Sequence, residues 1–356
     1  MLSLLDDGAD LETAPRMEHP GGSASSPLTH GAGMTVRMST HTSDQTHTDL
    51  TEFSGQYAIG LRNRICVYCS KPFSDELPKT REHVVGKKFV QKGSMRAAYN
   101  LVVNACKPCN NNNGDLENDI SVISMHPTVY GDFAADAAVL APEVERRAGK
   151  TYSRNTGKPV AAGEQPRVIH GTHMGMSVSF TMVGPPQASQ ERQFELARLQ
   201  LMAFFFHLTY DKAQERGFYW KGDFRPVIAV RKADWGHPYF KWFEEVSAKG
   251  VVNYQVCTAN GFYKMWIKEI HTRDMHAWAI EWNKNIRLIG FFGDNALIEK
   301  LAETMPEVPM RDFYRDGRIR RRMRLQVPME GPDTLFAMFQ EPATQNPSDV
   351  TPTEIP

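Results

Sequence analysis

Four of the five cysteines fall into two pairs of one spacing, Cys66-x-x-Cys69 and Cys106-x-x-Cys109. Two knuckles of this kind bring four thiolates to one tetrahedral point, the arrangement zinc prefers. Metal binding is then part of folding, worth on the order of 10 kcal/mol in small domains. The fifth, Cys257, lies in a strand-like run and reads as a buried thiol. A plain ribbon needs only a short link between its knuckles, yet 36 residues separate Cys69 from Cys106.

Those 36 residues have a pattern. "TREHVV" reads as a strand, and "YNLVV" reads as a second strand that runs into Cys106. After the second knuckle, a helix is predicted to open at Asn110, with asparagine as a favourable N-cap. Strand, loop, strand, knuckle, helix is a ββα unit stapled by zinc at its base. Asn111, Asn112 and Asn113 read as cap and turn residues.

The motifs Cys66-x-x-Cys69, Glu82-His83, Asn100-Leu101 and Cys106-x-x-Cys109-Asn110 stand in the order found in one known family. Over about residues 60–122 the chain resembles HNH endonucleases of the ββα-metal type, in their four-cysteine form. The resemblance implies cleavage of double-stranded DNA through one catalytic divalent cation, leaving a 3′-hydroxyl and a 5′-phosphate. Phosphodiester hydrolysis needs an activated water and a cation to hold the developing charge. A histidine near neutrality suits the first task, so His83 is the expected general base. Oxygen ligands suit magnesium or manganese, and Glu82 with the Asn110 carbonyl would supply them. Asn100 matches the family's middle asparagine, which fixes the loop after the base. Asn104 is a rival for that role. Glu82 stands for the more usual aspartate, and Gly86 stands where proline is common. Asn112 and Asn113 stand where lysine often follows the last cysteine.

Charge agrees with a polyanionic partner. The formal net charge is zero, but residues 61–113 hold ten Lys or Arg against three acids. Lys87 and Lys88, between the two strands, are candidate phosphate contacts. So are Arg320, Arg321 and Arg322 in "RDGRIRRRMRLQ" near the C-terminus.

The expected fold class is α+β: a zinc-stapled ββα-metal module, then an antiparallel-sheet α+β domain. Residues 1–54 are polar and acidic and read as disordered. The nuclease module is placed at 55–130, a linker or helical connection at 131–166, the second domain at 167–326 and a disordered tail at 327–356. Phe194, Ala197, Leu201, Phe204, Phe205 and Leu208 recur at helical spacing, in a helix predicted to pack on most sides. Strand-like runs follow at 226–230, 251–258, 262–272, 276–283 and 286–293. "ANG" at 259–261 and "NKN" at 283–285 fit the turns of a meander. His276, Trp278, Ile280 and Trp282 alternate onto one strand face. His170 and His173 lack a third ligand beside them and read as a solvated pair. With no membrane-length apolar run and no signal peptide, the expectation is a cytoplasmic protein. Two rival readings are a zinc-dependent nucleic-acid-binding module without catalysis and an interaction protein that works through its C-terminal domain.

Overall fold

The run "NLVVNAC" puts β-branched side chains on both faces of one strand, a composition that suits a central position. In the computed structural model that strand has a neighbour on each side. The structure describes residues 52–53, 58–96, 98–127, 136–163, 167–173, 176–182, 186–271, 274–316 and 319–339. The chain enters through β1 (Glu52–Phe53) and β2 (Ala58–Gly60). Next, β3 (Lys79–His83) pairs antiparallel with β4 (Asn100–Cys106), and β2 lies parallel along the other edge of β4.

Helix α1 (Lys107–Met125) leaves β4 directly. It opens three residues before the expected Asn110. Cys106 is its N-cap, in extended conformation, and Pro108 occupies the first turn, where its missing N–H costs nothing. Asn110 is therefore inside the helix. Helix α2 (Ala137–Ala148) and a short 3-10 turn at Val160–Ala162 follow. The segment expected as a linker packs down: Thr151, Ser153 and Val160 are buried, and the Arg154 amide donates to Asp119 of α1 at 2.8 Å.

Strands β5 (Arg167–His173) and β6 (Met176–Met182) form a hairpin. His170 and His173 lie on β5, but their side chains fall outside the described part. Helix α3 (Gln190–Leu208) is capped by Ser189, which accepts from the Arg192 amide at 3.3 Å. Leu196, Ala197, Leu199, Leu201, Phe204 and Phe206 are all buried, so its apolar surface is covered on most sides.

The larger sheet takes β7 (Asp223–Arg231), then, after helix α4 (Pro238–Ser247), β8 (Val251–Thr258), β9 (Tyr263–His271), β10 (Met275–Trp282) and β11 (Ile286–Gly293). The order is β1-β8-β9-β10-β11-β7; β1 pairs parallel with β8, and every other pairing is antiparallel. The two expected turns hold left-handed residues: Ala259, Asn260 and Gly261 in one, Asn283 and Lys284 in the other. Helix α5 (Asn295–Ala302) follows.

Both faces of this sheet are covered. Trp278, Ile280 and Trp282 share a core with Phe204 of α3 and with Val84, Leu101 and Ile120 beside the cysteines. Ala277 and Ala279, on the other face, pack with Trp242 and Phe243 of α4 and Ile298 of α5. Residues of the expected 55–130 module and of the expected 167–326 domain thus share one apolar core. Polar contacts cross it as well. Asn283 donates to the Phe89 carbonyl at 3.1 Å and to Ser124 at 2.7 Å, and the Tyr99 and Tyr254 hydroxyls lie 2.9 Å apart.

The stretch 327–339, expected as part of a disordered tail, is packed. Leu335 and Phe336 are buried in the second core, and the Trp266 indole donates to the Leu335 carbonyl at 2.9 Å. Apolar residues in "TLFAMF" anchor a stretch that composition alone assigned to disorder. The tracts 1–51 and 340–356 lie outside the described residues. Strands β12 (Met310–Asp316) and β13 (Ile319–Arg324) form an antiparallel hairpin in a compact unit of their own. Among the described residues, no helix is long and apolar enough to cross a membrane.

Candidate active site and metal centre

The four paired cysteines converge. The sulfurs of Cys66, Cys69, Cys106 and Cys109 all lie within 4.8 Å of one another. Cys69 and Cys106 are 3.8 Å apart, close to the edge of a tetrahedron whose metal–sulfur bonds are ~2.3 Å. The Cys66 sulfur accepts from the Tyr68 amide at 3.4 Å and the Cys106 amide at 3.3 Å, bonds that favour a thiolate. The donor set and spacing fit a tetrahedral metal ion. Cys257 lies apart from this group.

From Cys106 onward, one face of α1 lies along β3 and the loop after it. Residues three and four apart on a helix share a face, so Asn110, Asn113 and Glu117 make a polar stripe. Each has a partner. The Asn110 amide donates to Thr80 Oγ1 at 2.9 Å and more weakly to the Arg81 carbonyl at 3.4 Å. The Asn113 amide donates to Glu82 Oε1 at 2.5 Å, and Glu117 Oε1 accepts from the Gly86 amide at 3.0 Å. A Cβ at position 86 would collide with the Glu117 carboxylate, so the glycine admits the acid.

This geometry reassigns the asparagine run. Asn111 and Asn112 are exposed, as cap and turn residues would be, but Asn113 is only 1% exposed. Its Oδ1 is buried and has no hydrogen-bond partner. The recorded contact of Glu82 on α1 is thus Asn113, one turn beyond Asn110. The sequence reading of Asn113 as cap or turn is thereby corrected, and Glu117 carried no reading from sequence. The signal was the i, i+3, i+7 spacing, hidden while the helix was taken to begin at Asn110.

Glu82 is 5% exposed, and His83, next to it on β3, is half-buried. Burial pushes the Glu82 carboxyl up to about 7, against the pull of hydrogen bonds from Asn113 and Tyr68. Burial and the neighbouring Glu82 charge raise Glu117 to about 8, and the Gly86 amide partly opposes this. An ionised Glu82 thus makes it costlier for Glu117 to ionise as well. His83 goes the other way: burial, then Lys87 and Arg81, hold its pKa below the usual value. Its imidazole is accordingly neutral at pH 7 and able to accept a proton.

Asn100 is buried and bridges Val85 twice, donating to its carbonyl at 2.8 Å and accepting from its amide at 3.3 Å. That pair fixes the chain two residues after His83. Asn104 braces a different segment, since it is bound to Asn63 through both backbone and side chain. Lys87 and Lys88 are exposed in the loop after β3. Indeed all ten Lys and Arg of residues 61–113 are exposed, and Arg64 is paired with Glu215. Arg322 is exposed and 3.5 Å from Asp312, within the β12–β13 hairpin. The side chains of Arg320 and Arg321 fall outside the described part.

No protein-family model, no curated protein and no solved structure matches the chain.

Proposed function

We propose that the protein is a metal-dependent DNA endonuclease of HNH type, with His83 as general base. The observation that carries this reading is the placement of the Glu82-His83 pair. It sits on a strand next to a four-cysteine cluster, against an asparagine-bearing helix, with a neutral imidazole and exposed lysines nearby. A module that only binds nucleic acid has no use for a buried acid beside a depressed histidine.

Zinc is the ion proposed for the four cysteines, where it ties the Cys66–Cys69 knuckle to the end of β4 and the start of α1 and takes no part in the chemistry. A second, oxygen-bound divalent cation, magnesium or manganese, would be held by Glu82 with an amide oxygen of α1. The family resemblance points to Asn110 for that oxygen. When bound, such an ion stabilises charge on the phosphate and the leaving oxygen. The buried acceptor beside Glu82 fits it: an Asn113 oxygen without a donor, next to a carboxyl that burial has partly neutralised.

His83 takes the proton from the attacking water. The new bond forms at phosphorus and the P–O3′ bond breaks, leaving a 3′-hydroxyl and a 5′-phosphate. Asn100 holds the following loop, so the imidazole keeps its place during the transfer. Lys87, Lys88 and the other exposed cations contact backbone phosphates, which makes binding steeply salt-dependent. The Arg320–Arg322 stretch is a second candidate contact.

The test is purified protein on supercoiled plasmid. Nicked circles should appear with magnesium or manganese and vanish with EDTA. One observation favours a binding-only module: Glu82 is buried and already hydrogen-bonded. Salt-sensitive DNA binding without nicking in either metal would establish that alternative.

A further inference from the structure

The loop after His83 forms a turn that carries Lys87 and Lys88 at its two central positions. The Phe89 amide closes it by donating to the Gly86 carbonyl at 2.8 Å, and both lysine side chains are exposed. A surface turn of this kind is ordinarily among the looser parts of a protein. This one is held from beneath at four backbone positions, by side chains of four separate elements. Asn100 of β4 bridges Val85, and Glu117 of α1 accepts from the Gly86 amide. The Arg147 guanidinium of α2 donates to the Lys88 carbonyl at 2.7 Å and to Ser121 of α1 at 2.5 Å. Asn283, in the turn between β10 and β11, reaches the Phe89 carbonyl and Ser124 of α1. The Phe89 ring is buried and meets Trp282 edge-on, with centroids 5.4 Å apart.

Asn283 is fully buried, and its backbone is left-handed, with a φ of 50°. Glycine takes that conformation at lower cost, so the turn alone does not require an asparagine. What the side chain adds is its pair of hydrogen bonds, which reach from the large sheet to the loop behind His83. Arg147 does the same from α2, and neither residue lies in the expected 55–130 module. We infer that Arg147 and Asn283 are positioning residues, which hold Lys87 and Lys88 in fixed places beside His83 to meet adjacent DNA backbone phosphates. The chain beyond the module thereby completes its nucleic-acid site. A lysine on a loose loop must be ordered at each encounter, whereas one on a fixed turn meets a phosphate without that cost. Cations placed beforehand also act most strongly on charge that develops in the transition state. The part these residues play in cleavage rests on the nuclease reading; their hold on the turn does not.

The test is a double-mutant cycle on the zinc-loaded full chain, built from Arg147→Met, Asn283→Gly and the paired change Lys87→Ala with Lys88→Ala. Glycine keeps the left-handed turn and removes only the side-chain donor. Affinity for a DNA duplex is measured at low salt without divalent cation, and plasmid nicking with magnesium or manganese. With both lysines present, Arg147→Met and Asn283→Gly should each slow nicking about tenfold and weaken affinity about threefold, at equal zinc content. With both lysines replaced, the same changes should alter either quantity by less than about twofold, because they act through the lysines. Arg147→Lys keeps one donor and should fall between wild type and Arg147→Met. Hydrogen exchange at the Phe89 amide reads the turn without DNA, and it should quicken in Arg147→Met and in Asn283→Gly. Exchange that neither change affects overturns the clamp. Nicking by wild type, with equal losses whether or not the lysines are present, overturns the positioning role and keeps the nuclease. Lysine-dependent losses of affinity in a protein that never nicks keep the role and overturn the nuclease.

Discussion

The two ends of the contact that α1 makes with the small sheet and its loops are built in opposite ways. At one end, four soft sulfurs come from two short knuckles, each complete within four residues. At the other, Asn113 and Glu117 lie 31 and 35 residues after Glu82, and α1 meets β3 and the loop after it only because the helix lies in a fixed register there. The first end can be read as a motif. The second exists only as tertiary structure. The same asymmetry should hold in energy, since the cysteine end holds the module together while the oxygen end tunes what it does.

Breaking the cysteine end should therefore have the largest effect. Cys66→Ser removes one of four ligands, and the cost in a domain of this type is on the order of 10 kcal/mol of metal-coupled stability. Because the core around the cysteines continues into α3 and the large sheet, the loss should spread beyond the module. Elemental analysis should find the metal gone, and circular dichroism should show loss of structure across the chain. A Cys66→Ser protein that stays folded and retains its metal would remove the cluster as a structural centre.

The oxygen end should respond more mildly and more selectively. Asn113→Ala removes one of the two donors to buried Glu82 and should cost about 1 to 3 kcal/mol in the protein without divalent cation. Asn112→Ala, on the exposed face, should be within about 0.5 kcal/mol of wild type. Urea titrations of the two variants give the comparison. Equal midpoints would mean that the register of α1 on β3 is not the one described.

What the sequence revealed follows the same division. The meander was legible because its turns are local: "ANG" and "NKN" place residues in left-handed conformation at both corners. The face shared by Trp278, Ile280 and Trp282 was legible by alternation. The burial of the opposite face was not, because Ala277 and Ala279 gain their partners from α4 and α5. Of the site, the cysteines and Asn100 were visible by spacing and phrasing. Asn113 was missed because four adjacent asparagines look like turn, and only the helix start at Lys107 sorts them into two that face the strand and two that face solvent. The shared core was missed for a similar reason. The polar composition of 146–166 signals a linker, yet Val160 and Ser153 are buried against the rest.

A pH-dependent effect is predicted where the large sheet meets α3. Burial holds His207 well below its ordinary value, at about 4, with its Nδ1 2.7 Å from the Tyr254 hydroxyl. In the unfolded chain the same histidine takes up its proton near pH 6.5. Between those values the unfolded state binds the extra proton, so stability falls as pH drops from about 6.5 to about 4. Allowing for partial exposure, the loss should be about 1 to 2 kcal/mol. His207→Gln should flatten this part of the stability–pH curve, and an unchanged slope would exclude a buried neutral His207.

The central claim is that one end of the contact folds the module while the other performs chemistry, and His83 tests it most directly. Wild type and His83→Ala should be prepared with equal zinc content and compared for plasmid nicking in magnesium and in manganese. The account predicts that His83→Ala keeps its zinc, its fold and most of its DNA binding, yet nicks at least about a hundredfold more slowly. Equal nicking rates at equal zinc content would contradict it and remove His83 as the base.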